Sequence, residues 1–404
     1  MTRHARDLWP DVPLPVFRAA EQELGRVATA VLSGAPSPVV LQWPAGVEHA
    51  LGVAAFAGGV GALLGHWCEI GRVVAEPAMA ALFASHLDHG RRRVAVLRRE
   101  LERVVAALGE RRIDVWVLKG MHTAYRYFPE PGTRVSSDVD LLVRPADWLA
   151  SCDVLRGLGL VETRHPGYPR VSAWGLPGPQ RVPSLAYAHA NAPWSIDMHA
   201  SLDRLPFEGL ESGLGTPDLS AGEVWHEFGS PVRILAQPLL LAYLALHASS
   251  HFYAVSQLRL IELVLVARRD FAGRAERWER LDELVARTAT GRFVFPALDL
   301  ADRFVPGTID GRVLGRIARA APRRLRRLVR RMAPATAQRL HPYPAIRERF
   351  VWLASPREAM AALLWLVWPR DGEKLIAPSK ALAAQWRRVR QALRRIVRAG
   401  LPGA

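Results

Sequence analysis

Apolar residues fall at helical spacing over residues 16–32 and 46–66, and a longer amphipathic tract covers 77–109. Within that tract Val94, Leu97, Leu101, Val104 and Leu108 form one stripe, and Gly109 stands where a helix stop is expected. The period then changes. Residues 113–118 (IDVWVL) are a short β-rich run, 121–128 (MHTAYRYF) read as a helix closed by the turn signal at 129–132, and 138–143 (DVDLLV) read as a second strand. The segment PADWLASCDVLRGLGL predicts a helix with Pro145 in its first turn and Gly157 and Gly159 closing it. A Pro- and Gly-rich stretch covers 166–183, and 184–190 and 194–200 are further strand candidates. From Gln237 onward the pattern is helical; 311–331 and 378–399 are amphipathic and rich in Arg. This order predicts an α+β protein: a helical region over 1–111, a small α/β core over 112–235, and a second helical region over 236–404.

Charge and composition narrow the function classes. The chain has 404 residues, half of them hydrophobic, and carries a net charge of +16. The charge is uneven: residues 311–404 hold 22 Lys and Arg against 4 Asp and Glu, which leaves the other 310 residues at −2. The C-terminal quarter therefore suits nucleic acid, an anionic membrane surface or an acidic partner, unless it is simply a solvated basic face. Cys68 and Cys152 are too few for a disulfide framework or a Cys-based zinc site, and a reducing, cytoplasmic setting fits. The N-terminus has no apolar core behind its charges, so it does not read as a signal peptide. The longest uncharged apolar stretch, 50–65, is shorter than the roughly 20 residues a bilayer span needs, and it reads as one buried helix rather than a transmembrane segment. Its Gly59, Gly61 and Gly65 lack dinucleotide-fingerprint spacing and suit close helix packing; no P-loop is present.

Candidate chemistry centres on the second strand. Strand side chains alternate between faces, so Asp138 and Asp140 point the same way. Two carboxylates at the start of a buried strand repel, and a divalent cation relieves the conflict; Mg²⁺ or Mn²⁺ suits such an oxygen site. A polar strand end with two solvated carboxylates is the plainer alternative. Upstream, Leu118-Lys119-Gly120 runs from a strand through Gly into a helix, which brings backbone N–H groups near a phosphate, and Lys119 adds a point charge. Arg134 is placed to clamp phosphate oxygens. Asp197 supplies a third carboxylate on a later strand candidate, as two-metal phosphoryl displacement requires. His199 shares its face and suits either an acceptor site or a structural role. His247 and His251, four apart on an apolar helix, read as core or substrate-lining histidines. Trp352, Trp365 and Trp368 read as the filling of a C-terminal helical core.

These motifs resemble the uncharacterised bacterial nucleotidyltransferase family of the DNA polymerase β-like superfamily. The resemblance is carried by Leu118-Lys119-Gly120, Tyr127, Pro129, Arg134 and Asp138-Val139-Asp140-Leu141-Leu142-Val143, with Asp197 and His199 and the His-rich helix after them. It implies a small polymerase-β-like mixed-sheet core and metal-dependent transfer of a nucleoside monophosphate from a nucleoside triphosphate. The acceptor (protein, peptide, small molecule or nucleic acid) is unspecified. It implies Asp138, Asp140 and Asp197 as catalytic metal ligands, Lys119, Gly120, His122, Arg134 and Ser137 at the nucleotide, and His199, His247 and His251 lining the pocket. Two departures stand out. Met121 replaces the second small residue usual after the first strand, and Glu262 stands where Asp is expected. The rival reading is a catalytically degenerate protein whose basic C-terminal helices bind nucleic acid or an acidic partner.

Overall fold

The computed structural model describes residues 12–164, 171–178, 194–203, 212–215, 222–250, 255–337 and 350–360, with a few more between 370 and 390. The chain begins with α1 (Leu14–Leu32), α2 (Glu48–Gly58), α3 (Gly61–Glu69) and α4 (Pro77–Glu110); β1 (Val39–Val40) pairs in parallel with β2 (Val73–Val74). The stretch expected to be one helix over 46–66 is two, α2 and α3, meeting at a bend of 112°. Gly59 makes the break, with φ +72° at the C-terminal cap of α2. Gly61 and Gly65 then let α3 lie close against α4. A Cβ at Gly61 would stand 1.8 Å from His86 Nδ1, and one at Gly65 would stand 2.3 Å from Phe83 O. Gly109 is not the stop of α4, which runs on to Glu110; the chain reverses at Arg112, with φ +58°.

The middle of the chain forms β3 (Val115–Val117), α5 (Met121–Arg126), β4 (Asp138–Val143), α6 (Trp148–Gly157), β5 (Val161–Arg164), β6 (Val171–Gly175), β7 (Ser195–His199), β8 (Glu223–Phe228) and β9 (Ser230–Ile234). Among the described residues these strands make a seven-stranded mixed sheet in the order β5-β6-β7-β4-β3-β9-β8. The β4–β7 and β3–β9 pairs are parallel and the others antiparallel. The helix expected from Pro145 opens with a 3₁₀ turn, Pro145–Asp147, before α6. The Pro- and Gly-rich stretch contains β6, and β5, β8 and β9 had no counterpart in the sequence reading. The candidate strand at 184–190 lies outside the described residues.

The C-terminal part continues as α7 (Leu239–Ser250), α8 (Gln257–Phe271), α9 (Ala275–Arg287), α10 (Gly291–Phe304), α11 (Gly311–Ala320) and α12 (Arg323–Arg330). The protein is thus α+β, a mixed sheet with helical flanks. Pro322 separates α11 from α12 within the expected 311–331 tract. The second Arg-rich tract at 378–399 falls almost wholly outside the described residues, as do Trp365 and Trp368; Trp352 is buried and stacks on Phe293. No single described helix is long and apolar enough to cross a membrane.

The two faces of the sheet meet different neighbours. Val115, Val117, Val139, Leu141, Val143, Ile196 and Met198 pack with Leu97, Leu101 and Val104 of α4 and Leu155 of α6. On the other face Trp116, Leu118 and Leu142 join a larger core that takes Leu24 of α1, Leu63 of α3 and Leu260 and Leu298 of the later helices. Helices from before and after the sheet therefore share one core, and the sheet presents its alternate residues to it. Each fully buried Leu or Val there contributes roughly 1.5–3 kcal/mol of transfer free energy.

Candidate active site

β4 and β7 run parallel with Asp138 opposite Ser195 and Asp140 opposite Asp197. Adjacent strands lie about 4.8 Å apart, so paired side chains on one face stand abreast. Asp138 and Asp140 leave β4, and Asp197 and His199 leave β7, on the face toward the larger helical core. Oxygens of Asp138, Asp140 and Asp197 lie within 4.8 Å of one another. Asp140 is fully buried, while the other two retain partial exposure.

Their surroundings fix them further. Lys119, just beyond β3, bonds through Nζ to Asp140 Oδ2, and the same nitrogen lies 4.0 Å from Asp138 Oδ2. His199 Nε2 is 3.1 Å from Asp140 Oδ1. Ser136 Oγ donates to Asp138 Oδ1 at 3.2 Å, and Ser195 Oγ donates to Asp197 Oδ1 at 2.9 Å. One ammonium thus faces three carboxylates. Burial first, and then Asp138 and Asp140, push the Asp197 carboxyl up to about 7. A hard, oxygen-only set of three crowded carboxylates fits a divalent cation such as Mg²⁺.

The residues expected at the phosphates lie around Gly120. Its φ of +70° and ψ of −101° exclude other residues without strain. A Cβ there would stand 3.3 Å from Ser136 Oγ and 3.8 Å from Arg134 Nη1. Arg134 is buried, with Nε donating to Glu262 Oε1 at 2.7 Å. Burial opposes its charge, but Glu262, then Asp138 and Asp140, more than offset this and hold its pKa above the usual value. Ser137 is exposed and follows Ser136 in the strap leading to Asp138.

Not every expected residue joins this group. His122 is fully buried, with its ring edge-on to Tyr127 and Trp225. Burial pushes its pKa down to about 3, which leaves a neutral ring within the packing. His247 is buried beside Tyr243 and belongs to none of the metal-ligating groups among the described residues; His251 lies outside them. Arg93 and Thr123 went unnoticed in the sequence. Arg93 is 1% exposed and donates to Ser136 O at 3.2 Å and Ser137 O at 3.0 Å. The available signal was an arginine on the apolar stripe of α4, four residues before Leu97.

The sequence profile of a family described as uncharacterised nucleotidyltransferases matches residues 44–306. The chain belongs to that family. No curated protein and no solved structure matches it. The matched span starts just before α2 and ends just after α10, so it takes in the three carboxylates, Lys119, Arg134 and Glu262 and stops short of the basic helices α11 and α12. This nucleotidyltransferase is a transferase of phosphorus-containing groups, and its donor is a nucleoside triphosphate.

Proposed function

We propose that the enzyme moves a nucleoside monophosphate from a nucleoside triphosphate to an acceptor and that it depends on Mg²⁺ or Mn²⁺. The observation that carries this reading is the side-by-side placement of Asp140 and Asp197 on parallel strands, with Asp138 two residues away on the same face. The acceptor oxygen attacks the α-phosphorus, the bond from that phosphorus to the bridging oxygen of the β-phosphate breaks, and pyrophosphate leaves. A divalent cation held by Asp138, Asp140 and Asp197 would neutralise the developing charge on the phosphoryl oxygens. Asp197, whose carboxyl is pushed up by burial and then by Asp138 and Asp140, takes the acceptor's proton on the oxygen that Ser195 does not engage. Lys119 serves as the protein's own counter-ion to Asp140 and, once the triphosphate arrives, neutralises it. Arg134 holds the triphosphate next to Gly120, with the Ser137 hydroxyl available to it; His122 acts as packing. Cys68 and Cys152, neither of them in a disulfide among the described residues, and a triphosphate donor suit the cytoplasm.

Asp140→Asn retains the fold and lowers nucleotidyl transfer by about a thousandfold or more, the scale of removing a main electrostatic stabiliser. Pyrophosphate release and adduct mass, after incubation with each triphosphate and a cell extract, check this and identify the acceptor. Wild-type transfer by Asp140→Asn ends the mechanism.

A second observation concerns the partner surface. On α11, α12 and the residue after them, Arg312, Arg316, Arg319, Arg323, Arg324, Arg327, Arg330 and Arg331 are all exposed or half-exposed, and no acid lies between 311 and 331. Of these only Arg316 forms an ion pair among the described residues, with Asp282. This face suits a nucleic-acid phosphate backbone. Replacing Arg323, Arg324, Arg327 and Arg330 by Gln flattens the salt dependence of binding to a single-stranded RNA; an unchanged salt slope rejects the surface.

A further inference from the structure

α8 presents two acids to the catalytic segment, Glu262 and Asp270, about two turns apart and therefore on one face. Asp270 acts as an anchor, accepting from Tyr127 OH at 2.7 Å and Gln237 Nε2 at 2.9 Å. Glu262 is engaged differently. Its Oε1 accepts from Arg134 Nε at 2.7 Å and also from Thr123 Oγ1. Thr123 lies in the first turn of α5 and reaches back 3.2 Å to the Gly120 carbonyl. One carboxylate oxygen therefore ties α8 both to the start of α5 and to the strap of residues 134–137.

Arg93 already holds the backbone of that strap from α4. What Glu262 adds is control of the guanidinium. With Nε engaged, the plane of the fork is set, and Nη1 lies toward Gly120. The terminal nitrogens of Arg134 make no hydrogen bond among the described residues. A fork pinned at its base, with both tips available, is suited to bidentate capture of phosphate oxygens.

We propose that Glu262 is a positioning residue that aims Arg134 at the donor triphosphate, acting through Arg134 and not on the reacting atoms. This rests on the assignment of Arg134 to the triphosphate. The departure at position 262 then has a physical reason: the longer side chain reaches from α8 to Arg134 and Thr123 together.

The test is a double-substitution cycle read by binding. Calorimetric dissociation constants are measured for inorganic triphosphate and for each of the four nucleoside triphosphates with Mg²⁺, in the full chain, Glu262→Gln, Arg134→Gln and the pair. The Glu262→Gln amide keeps an acceptor oxygen, and melting curves verify folding. Glu262→Gln weakens binding about tenfold in the wild-type background, the scale of one hydrogen bond to a charged group. It weakens binding less than about twofold when Arg134→Gln is already present, as expected of two groups acting as a unit. Equal weakening in both backgrounds, or none in the wild type, overturns the proposal while leaving Arg134 at the phosphates. If Arg134→Gln itself leaves binding unchanged, the phosphate role fails and the positioning role with it. Thr123→Val removes one anchor of Glu262 at nearly constant shape and gives the same pattern at smaller amplitude; should Glu262→Gln not fold, this variant decides by the same criteria.

Discussion

His66, Glu69 and Glu130 bring their ligand atoms within 4.8 Å of one another, just as Asp138, Asp140 and Asp197 do. The two groups look alike as sets of donors and differ in their charge balance. At the first, Arg91 Nη2 donates to Glu69 Oε2 and to Glu130 Oε1, both at 2.7 Å, and Nε donates to Glu130 Oε2 at 3.0 Å. The guanidinium is itself the cation, and its hydrogen bond holds the Glu69 carboxyl below the ordinary range. Glu69 is 51% exposed, so water screens what remains. At the second group Lys119 bonds to Asp140 and the Arg134 charge acts on Asp138 and Asp140, yet Asp140 is sealed from water and Asp197 is pushed up toward protonation by burial and then by Asp138 and Asp140. Proximity of donors does not distinguish a candidate metal site from a surface ion cluster; carboxylates crowded together under burial do.

The largest contrast is in catalysis. Asp140→Asn costs about a thousandfold or more in pyrophosphate release, whereas Glu130→Gln leaves the rate within about twofold, because surface ion pairs are worth only about 0–1 kcal/mol. Calorimetry with Mg²⁺ separates the groups in the same way: the heat of binding vanishes in Asp140→Asn and persists in Glu130→Gln. Loss of that heat in Glu130→Gln alone would reverse the comparison.

A smaller effect is the response to pH. Asp197 keeps its proton to about 7 in the folded protein, against 3.8 when unconstrained. Between those values the folded state binds more protons than the unfolded state, so metal-free stability falls as pH rises from about 4 to 7. The slope is at most about 1.4 kcal/mol per pH unit for one group. Glu21, raised by burial to about 7, contributes a slope of the same sign. The useful quantity is therefore the difference between wild type and Asp197→Asn in melts at pH 5 and 7.5; equal slopes would show that Asp197 is not strained. Below pH 7 Mg²⁺ binding also releases a proton in the wild type and not in Asp197→Asn. Smallest of all, Glu130→Gln lowers stability by less than about 1 kcal/mol, and that loss shrinks in high salt.

The long periodic elements were legible because their signal is local. α1, α4, β4 and β7 follow from apolar spacing, and the shared face of Asp138 and Asp140 follows from strand alternation alone. Other features depended on distant partners. β6 sits in a stretch whose Pro and Gly content argues for loop, and only pairing with β5 and β7 makes it a strand. The break at Gly59 was concealed by apolar residues on both sides of it. His122 and Thr123 are neighbours on a six-residue helix, yet the ring of one enters the packing and the hydroxyl of the other meets Glu262. Nothing in the local pattern sets that phase. The Arg134–Glu262 bond joins residues 128 apart in sequence, so its only local trace was an acid among the apolar residues of α8.

The pairing of β4 with β7 also bears on how the enzyme comes together. Sliding one strand past the other by a single step would turn Ile196 and Met198 to the catalytic side and bury Asp197 among valines and leucines. The three carboxylates converge only when segments more than fifty residues apart have zipped in the right phase, and until then the proposed cation site does not exist. Under the proposed metal role, ion capture would report correct assembly as well as serve turnover.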